Sequence, residues 1–359
     1  MRPFLLLLIF LTVWIGTPAW SAGDFVPAKP GYAWKFPRDH GSHPDYQTEW
    51  WYYTGHLKTP EGKRYGFELT FFRQGLARNV DNTSSFTATD LYFAHFAVSD
   101  LGAKTFWYAQ KMNRPGPGLA GAAPGGVSVW NEDWRAFHDG PGHRLQAHGD
   151  GRSIDLLLQS PFPAVLNGPR GYSVKGPGEA SLYYSFPRMS VTGTLGMGGK
   201  TFPVKGQAWM DHEFFTDGLN PQATGWDWFG LQFSDGTDLM LYRLRLQNGK
   251  VSPYSAGTFT DARGHATHLI AADFQAQALE SWKSPHTGAI YPTRWLIQIP
   301  KLKLAFEVGA DFPDQELNTA QSTRVVYWEG SVRLSGKRGL KPVKGEGYME
   351  LTGYDHDGK

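Results

Sequence analysis

From Glu49 to His56 the chain reads EWWYYTGH, and beyond Pro60-Glu61-Gly62 it reads YGFELTFF from Tyr65 to Phe72. An aromatic run, a glycine-bearing turn and an alternating apolar run predict a β-hairpin. The same grammar returns at Gly225 to Phe233 (GWDWFGLQF), turns at Asp235-Gly236 and continues from Asp238 to Leu246 (DLMLYRLRL). No segment holds a sustained helical apolar period with caps, so strands and turns account for the chain. The stretch Arg114 to Gly126 (RPGPGLAGAAPGG) is a loop by composition. A surface excursion is its first reading and a lid over a cavity its second.

A longer echo is present. Tyr183-Tyr184 begins a strand through Val191 to Gly193, a loop reaches Pro203-Val204-Lys205-Gly206, and the chain continues to Asp211. Near the C-terminus Tyr327-Trp328 begins a strand through Val332 to Gly336, a loop reaches Pro342-Val343-Lys344-Gly345, and the chain continues to Glu350. Aromatic pair, strand, glycine, loop, PVKG, aromatic, methionine and acid recur in one order, which points to an internal duplication. The expected halves are two antiparallel β domains, 22–217 and 218–359, each a sandwich or an up-and-down barrel. A closed barrel removes edge strands and can enclose an apolar ligand.

Composition supports this picture. Aromatics make up 15% of 359 residues, beside 43 Gly and 24 Pro, which favours strands and turns over helices. A net charge of +2 without a basic stripe argues against nucleic acid as a partner. There are no cysteines, so disulfides, thiol catalysis and thiolate metal sites are excluded. Arg2, the apolar run Phe4 to Ile15, and Ala19 and Ser21 before a cleavage point after Ser21 read as a signal peptide, 1–21. The mature protein is therefore expected to be periplasmic or secreted, and monomeric.

Two clusters offer chemistry. In the first, alternation sends Glu49, Trp51 and Tyr53 to one face and Trp50 and Tyr52 to the other. Glu49, Trp51, Tyr53 and the nearby His56 are candidate ligand contacts. The alternative is a core strand in which Glu49 caps a turn or pairs with an arginine such as Arg73, because a buried acid must be paired or neutral. The second cluster is Trp209-Met210-Asp211-His212-Glu213. HExxH fails here, and three residues alternating across a strand do not converge on one ion, so no metal is expected. Asp211 enclosed by Trp209, Trp226 and Trp228 would have its charged form disfavoured, which makes a general acid. A salt-bridged hinge between the halves is the alternative. His95, inside YFAHF, faces either cavity or core. No nucleophile elbow, phosphate loop or dinucleotide fingerprint is present.

HPDYQTEWWYYTGHL (43–57), DLYFAHFAVSD (90–100), NRPGPGLAG (113–121), WMDHEF (209–214) and GWDWFGLQFSDGTDLMLYRLR (225–245) together resemble the AttH-like lipocalin family, related to the carotenoid 1,2-hydratases. The matching blocks run from about Tyr32 to Tyr354. The resemblance implies an all-β fold of two tandem lipocalin-like domains, and an apolar ligand of isoprenoid or lipid type held without a cofactor. It suggests an accessory role beside a membrane transporter. The hydratase branch implies instead that water is added across an isoprenoid double bond, or that the bond is isomerised. Asp211, two residues after Trp209, matches the acid of that branch, and His212 and Glu213 stand beside it as candidate catalytic groups. The branch's upstream histidine falls in Leu182-Tyr183-Tyr184, where this chain has none.

Overall fold

A computed structural model describes residues 25–76, 78, 88–216 and 222–355. The expected signal peptide and the expected junction at 217/218 lie outside the described residues. Within them, the only helical elements are three-residue 3-10 turns. Among the described residues no helix is long and apolar enough to cross a membrane.

The strands of the described residues divide into an antiparallel sheet of thirteen and one of ten. The first opens with β1 (Thr48–Lys58), β2 (Arg64–Gly75), β3 (Asp90–Asp100) and β4 (Thr105–Asn113). Its other flank is β5 (Ala120–Ala122), β6 (Ser128–Asn131), β7 (Trp134–Asp139), β8 (Gly142–Gly149) and β9 (Arg152–Gln159). β10 (Val165–Leu166), β11 (Tyr172–Gly176), β12 (Glu179–Met197) and β13 (Lys200–Phe215) complete it. The spatial order is β4-β3-β2-β1-β13-β12-β9-β8-β7-β6-β5, with β10 and β11 paired to β12.

The second sheet contains β14 (Ala223–Phe233), β15 (Asp238–Leu246), β16 (Ala256–Thr260), β17 (Ala266–Ile270) and β18 (Gln275–Lys283). It continues with β19 (Ile290–Ile299), β20 (Leu304–Ala310), β21 (Glu316–Asn318), β22 (Val326–Arg338) and β23 (Lys341–Thr352). Its order is β17-β16-β15-β14-β23-β22-β20-β19-β18, with β21 beside β22. The run β2-β1-β13-β12-β9 therefore corresponds to β15-β14-β23-β22-β20. The two lipocalin-like halves are built on one plan.

Both anticipated hairpins form, β1–β2 and β14–β15, with Gly62 and Gly236 at positive φ in their turns. The PVKG segments differ from expectation: they are strand, not the end of a loop. β12 and β13 are joined by Gly198-Gly199, both at positive φ, and β22 and β23 by Gly339-Leu340. The prolines misdirect the reading, yet they do not break the sheet. The β1–β13 ladder stops at Lys58–Lys205 and the β14–β23 ladder at Phe233–Gly345. Pro203 and Pro342 thus lie where one flank has no neighbour, and a missing N–H costs nothing there. The PVKG glycines have a different reason. A Cβ at Gly206 would overlap the His56 carbonyl oxygen, and one at Gly345 the Gln232 carbonyl oxygen.

Each sheet curls around its own core. Trp51, Tyr53, Phe67, Phe71, Phe96 and Leu156 fill the first, and Phe229, Leu231, Trp295, Phe306 and Trp328 the second. Each such side chain contributes about 1.5–3 kcal/mol by leaving water. A third cluster of Tyr52, Tyr183, Trp209, Trp228, Tyr242 and Tyr348 lies between the sheets. The Gly/Pro-rich segment carries the short edge strand β5 and lies away from this third cluster.

Candidate functional site

The period of two decides which side chains meet the cavity. On β1, Trp51 and Tyr53 turn into the first core while Trp50 and Tyr52 turn toward the second sheet. On β14, Phe229 and Leu231 turn into the second core while Trp226 and Trp228 face the first sheet. A cavity of about 120 Å³ lies between these outward faces. The first half lines it with Trp50, Tyr52, Glu68, Thr70, Phe72, Lys175, Tyr183, Asp211 and Glu213. The second half supplies Trp226, Trp228, Tyr242, Leu244, Tyr327, Glu329 and Glu350. A cavity of about 150 Å³ accepts benzene, so the space suits one ring or one branched end group.

The duplication builds the cavity twice. Asp211 on β13 stands opposite Tyr52 on β1 and Ser185 on β12. Glu350 on β23 stands opposite Trp228 on β14 and Glu329 on β22. Asp211 and Glu350, the acids that close the repeated PVKG motif, thus hold equivalent places on the two halves.

Asp211 is buried and accepts hydrogen bonds from the Tyr183 hydroxyl (2.6 Å), the Ser185 hydroxyl (2.5 Å) and the Trp209 indole N–H (2.7 Å). Burial pushes its pKa up to about 7, even though all three donors favour the carboxylate. Trp228 Nε1 donates to the Tyr183 hydroxyl at 3.2 Å and so orients it. Glu350, also raised to about 7 by burial, accepts one bond from Trp226 Nε1 at 3.1 Å. Burial lifts Glu68 to about 8 and Glu329 well above the carboxylate range, with neighbouring acids adding to both shifts. Glu213 is different, since Lys175 Nζ lies 3.2 Å away and the Ser181 hydroxyl donates to it. Lys175 also sits 3.8 Å from the centre of the Tyr242 ring. The arrangement can give a proton near neutral pH, and its rings can stabilise a positive charge.

The structure brings Asp211, Glu213, Trp226 and Trp228 together as cavity lining, with Trp209 behind Asp211. The other expected residues lie elsewhere. Glu49, Trp51, Tyr53 and His212 face the interior of the first half, because odd positions of β1 and His212 of β13 share that side. Trp51 is stacked on His212 at 4.9 Å and donates to the His40 carbonyl. Tyr53 meets His143 at 3.1 Å. Glu49 does pair with Arg73 (3.1 Å), and it also binds His43 (2.8 Å) and His212 (2.9 Å), so its pKa falls despite burial. Ring nitrogens of His43 and His212 and a Glu49 oxygen lie within 4.8 Å of one another. Arg73 already supplies the cation there, and the arrangement reads as a hydrogen-bond network. His56 and His95 bridge the halves, to Ser331 (2.8 Å) and Tyr327 (2.7 Å), without lining the cavity.

Tyr52, Glu68, Tyr183, Lys175, Tyr327, Glu329 and Glu350 were not anticipated as site residues. Glu350 was signalled by the motif that aligns it with Asp211. Glu68 was signalled by being the one acid in the otherwise uncharged run YGFELTFF. The aromatic pairs that open the same motif signalled Tyr183 and Tyr327, while nothing local marked Lys175.

Residues 27–354 match the family model described as AttH-like. An AttH structure from Nitrosomonas europaea is 35% identical, covering 92% of this chain and 99% of that one with a TM-score of 0.84. Kievitone hydratase from Nectria haematococca shares 15% identity over 91% of this chain and 95% of its own, with a TM-score of 0.71. CghA, solved with Sch210972, shares 12% identity over 85% and 88%, with a TM-score of 0.51. The last two likenesses are of fold. No curated protein sequence matches the chain.

Proposed function

The chain belongs to the AttH-like family, and from that premise we propose that it binds a neutral, apolar small molecule of isoprenoid or lipid type between its two halves. The observation that carries this reading is the cavity itself. Eight aromatic rings line a space assembled from equivalent faces of both sheets. Its one cation, Lys175, is engaged by Glu213. Nothing in that lining would neutralise an anionic head group, and much of it would gain from apolar contact. In this reading the protein is exported and serves as a carrier beside a membrane transport system.

Asp211 favours a second reading, acid catalysis without a cofactor. A carboxyl whose pKa burial raises to about 7 keeps a proton to give near neutral pH and is suited to proton transfer. Protonation of an alkene by Asp211 would leave a tertiary carbocation among the cavity rings. Water would add to that cation and return its proton to the Asp211 carboxylate, so alkene plus water becomes a tertiary alcohol with no net proton consumed. Kievitone hydratase, which shares the fold, is named as a hydratase.

Asp211→Asn separates the two readings. Organic extracts of wild type and variant, compared by mass spectrometry, are expected to contain the same ligand in the same amount if the protein only carries it. If wild type yields a species heavier by one water, or an isomer of equal mass, and the variant yields only the precursor, the carrier reading fails and the acid mechanism stands.

A further inference from the structure

Four carboxyls in the cavity, the buried Glu68, Asp211 and Glu329 and the half-buried Glu350, have no cation among the residues that line it, since Lys175 is held by Glu213. Asp211 accepts three donors. Glu68 and Glu329 are arranged differently. In Glu68, Oε1 accepts from the Thr70 hydroxyl (3.0 Å) and the Tyr327 hydroxyl (3.2 Å), and Oε2 has no partner among the described residues. In Glu329, Oε1 accepts from the Tyr52 hydroxyl (2.7 Å), and Oε2 again has no partner among the described residues. Both side chains are about 1% exposed. An unsatisfied buried polar atom costs about 1–3 kcal/mol, and an unpaired buried charge costs more. Such a cost at two positions in the lining of one cavity calls for a ligand atom.

The direction of these contacts locates the proton. Hydroxyl donors converge on Oε1 of each residue, so a neutral acid carries its proton on the other oxygen. His95 Nδ1, 2.7 Å from the Tyr327 hydroxyl, supports that orientation from behind. Each Oε2–H then remains as a donor among the rings. Because one residue comes from β2 and the other from β22, the pair is complete only when the two halves are packed together.

We propose that Glu68 and Glu329 form a two-donor site, separate from Asp211, that receives the carbonyl or hydroxyl oxygen of a neutral apolar ligand. The inference rests on the reading of the cavity as an apolar-ligand site and narrows it. The ligand is an oxygen-bearing terpenoid or aryl compound, not a plain hydrocarbon, an amine or a carboxylate. Burial and the neighbouring acids, which disfavour the charged form of both, act in the same sense.

The test is calorimetric titration of the full mature chain with acetophenone, ethylbenzene and benzylamine, which share size and differ in the polar group. Acetophenone is expected to bind about ten-fold more tightly than ethylbenzene, the worth of one good hydrogen bond. Gln keeps an N–H donor in place of the acid O–H. Glu68→Gln/Glu329→Gln should therefore preserve most of the ketone preference, and Glu68→Met/Glu329→Met should abolish it while ethylbenzene still binds. The C=O stretch of protonated carboxylic acids at pH 7 should weaken in both variants. If ethylbenzene binds and acetophenone gains nothing, or if benzylamine binds best and the Gln variant loses it, the donor site is wrong while the apolar cavity stands. If neither neutral probe binds, both readings fall.

Discussion

Arg73→Met is expected to lower folding stability by about 3–5 kcal/mol, the usual cost of stranding a buried partner charge. Arg73 is 1% exposed and serves four acceptors at once: Glu49 (3.1 Å), Asp90 (3.0 Å), and the carbonyls of His43 (2.9 Å) and Tyr46 (2.7 Å). Asp90 retains Arg78 after the change. Glu49 retains the His43 and His212 rings, the His43 backbone N–H and the Ser42 hydroxyl, none of them a permanent cation, and it is 0% exposed. The guanidinium also ties the segment before β1 to β2, so its loss frees backbone as well as charge. Denaturant midpoints are the measurement. Adding Glu49→Gln to Arg73→Met should recover part of the loss, because the stranded charge is then gone. A loss under about 1 kcal/mol in the single variant, well below that expected cost, would show that Glu49 ionises without Arg73.

Raising the pH from about 6.5 to 8.5 is expected to destabilise the protein. Asp211, Glu350 and Asp238 are raised to about 7, and Glu68 to about 8, chiefly by burial. In the unfolded chain these carboxyls have already lost their protons at pH 6.5, so only the native state releases protons above it. Stability falls wherever the native state holds more protons than the unfolded one. Moving one carboxyl from 3.8 to about 7 makes its ionisation cost on the order of 4 kcal/mol within the fold. Below pH 6.5 a second set of groups opposes this slope. Burial holds His40 at about 4 and His95 and His143 at about 3, so the unfolded state binds protons that the native state refuses. Stability should therefore decline from about pH 6.5 through pH 8.5, where those histidines no longer offset the carboxyls. Glu350→Gln should shrink the alkaline decline in melting temperature. A melting temperature that holds steady or rises from pH 6.5 to 8.5 contradicts the assignment of neutral acids.

The two hairpins and the repeated motif were legible because each is local. A turn glycine with alternating flanks identifies itself, and the aligned order of residues around PVKG relates Asp211 to Glu350 before any strand is paired. The choice between faces of β1 was not legible. Glu49-Trp51-Tyr53 and Trp50-Tyr52 both carry rings, so alternation defined two faces without saying which one met solvent, core or cavity. His212 was misplaced for a related reason. It neighbours Asp211 in sequence, and one step along a strand sends it to the opposite side. The Glu68–Tyr327–His95 contacts join residues more than two hundred positions apart in part, and no spacing rule reaches across the packing of one half on the other. The prolines of PVKG read as loop because their tolerance depends on where the neighbouring ladder ends.

The central claim is that an apolar molecule occupies the cavity between the halves. It is tested most directly by purifying the protein from its native source, denaturing it and measuring the organic extract by quantitative mass spectrometry. Thr70→Trp, which fills the cavity from β2, is the control. A single neutral, oxygen-bearing apolar compound near one equivalent per chain, lost in Thr70→Trp, is the predicted result. An empty extract from wild type, or the same compound at the same level in Thr70→Trp, would contradict the account.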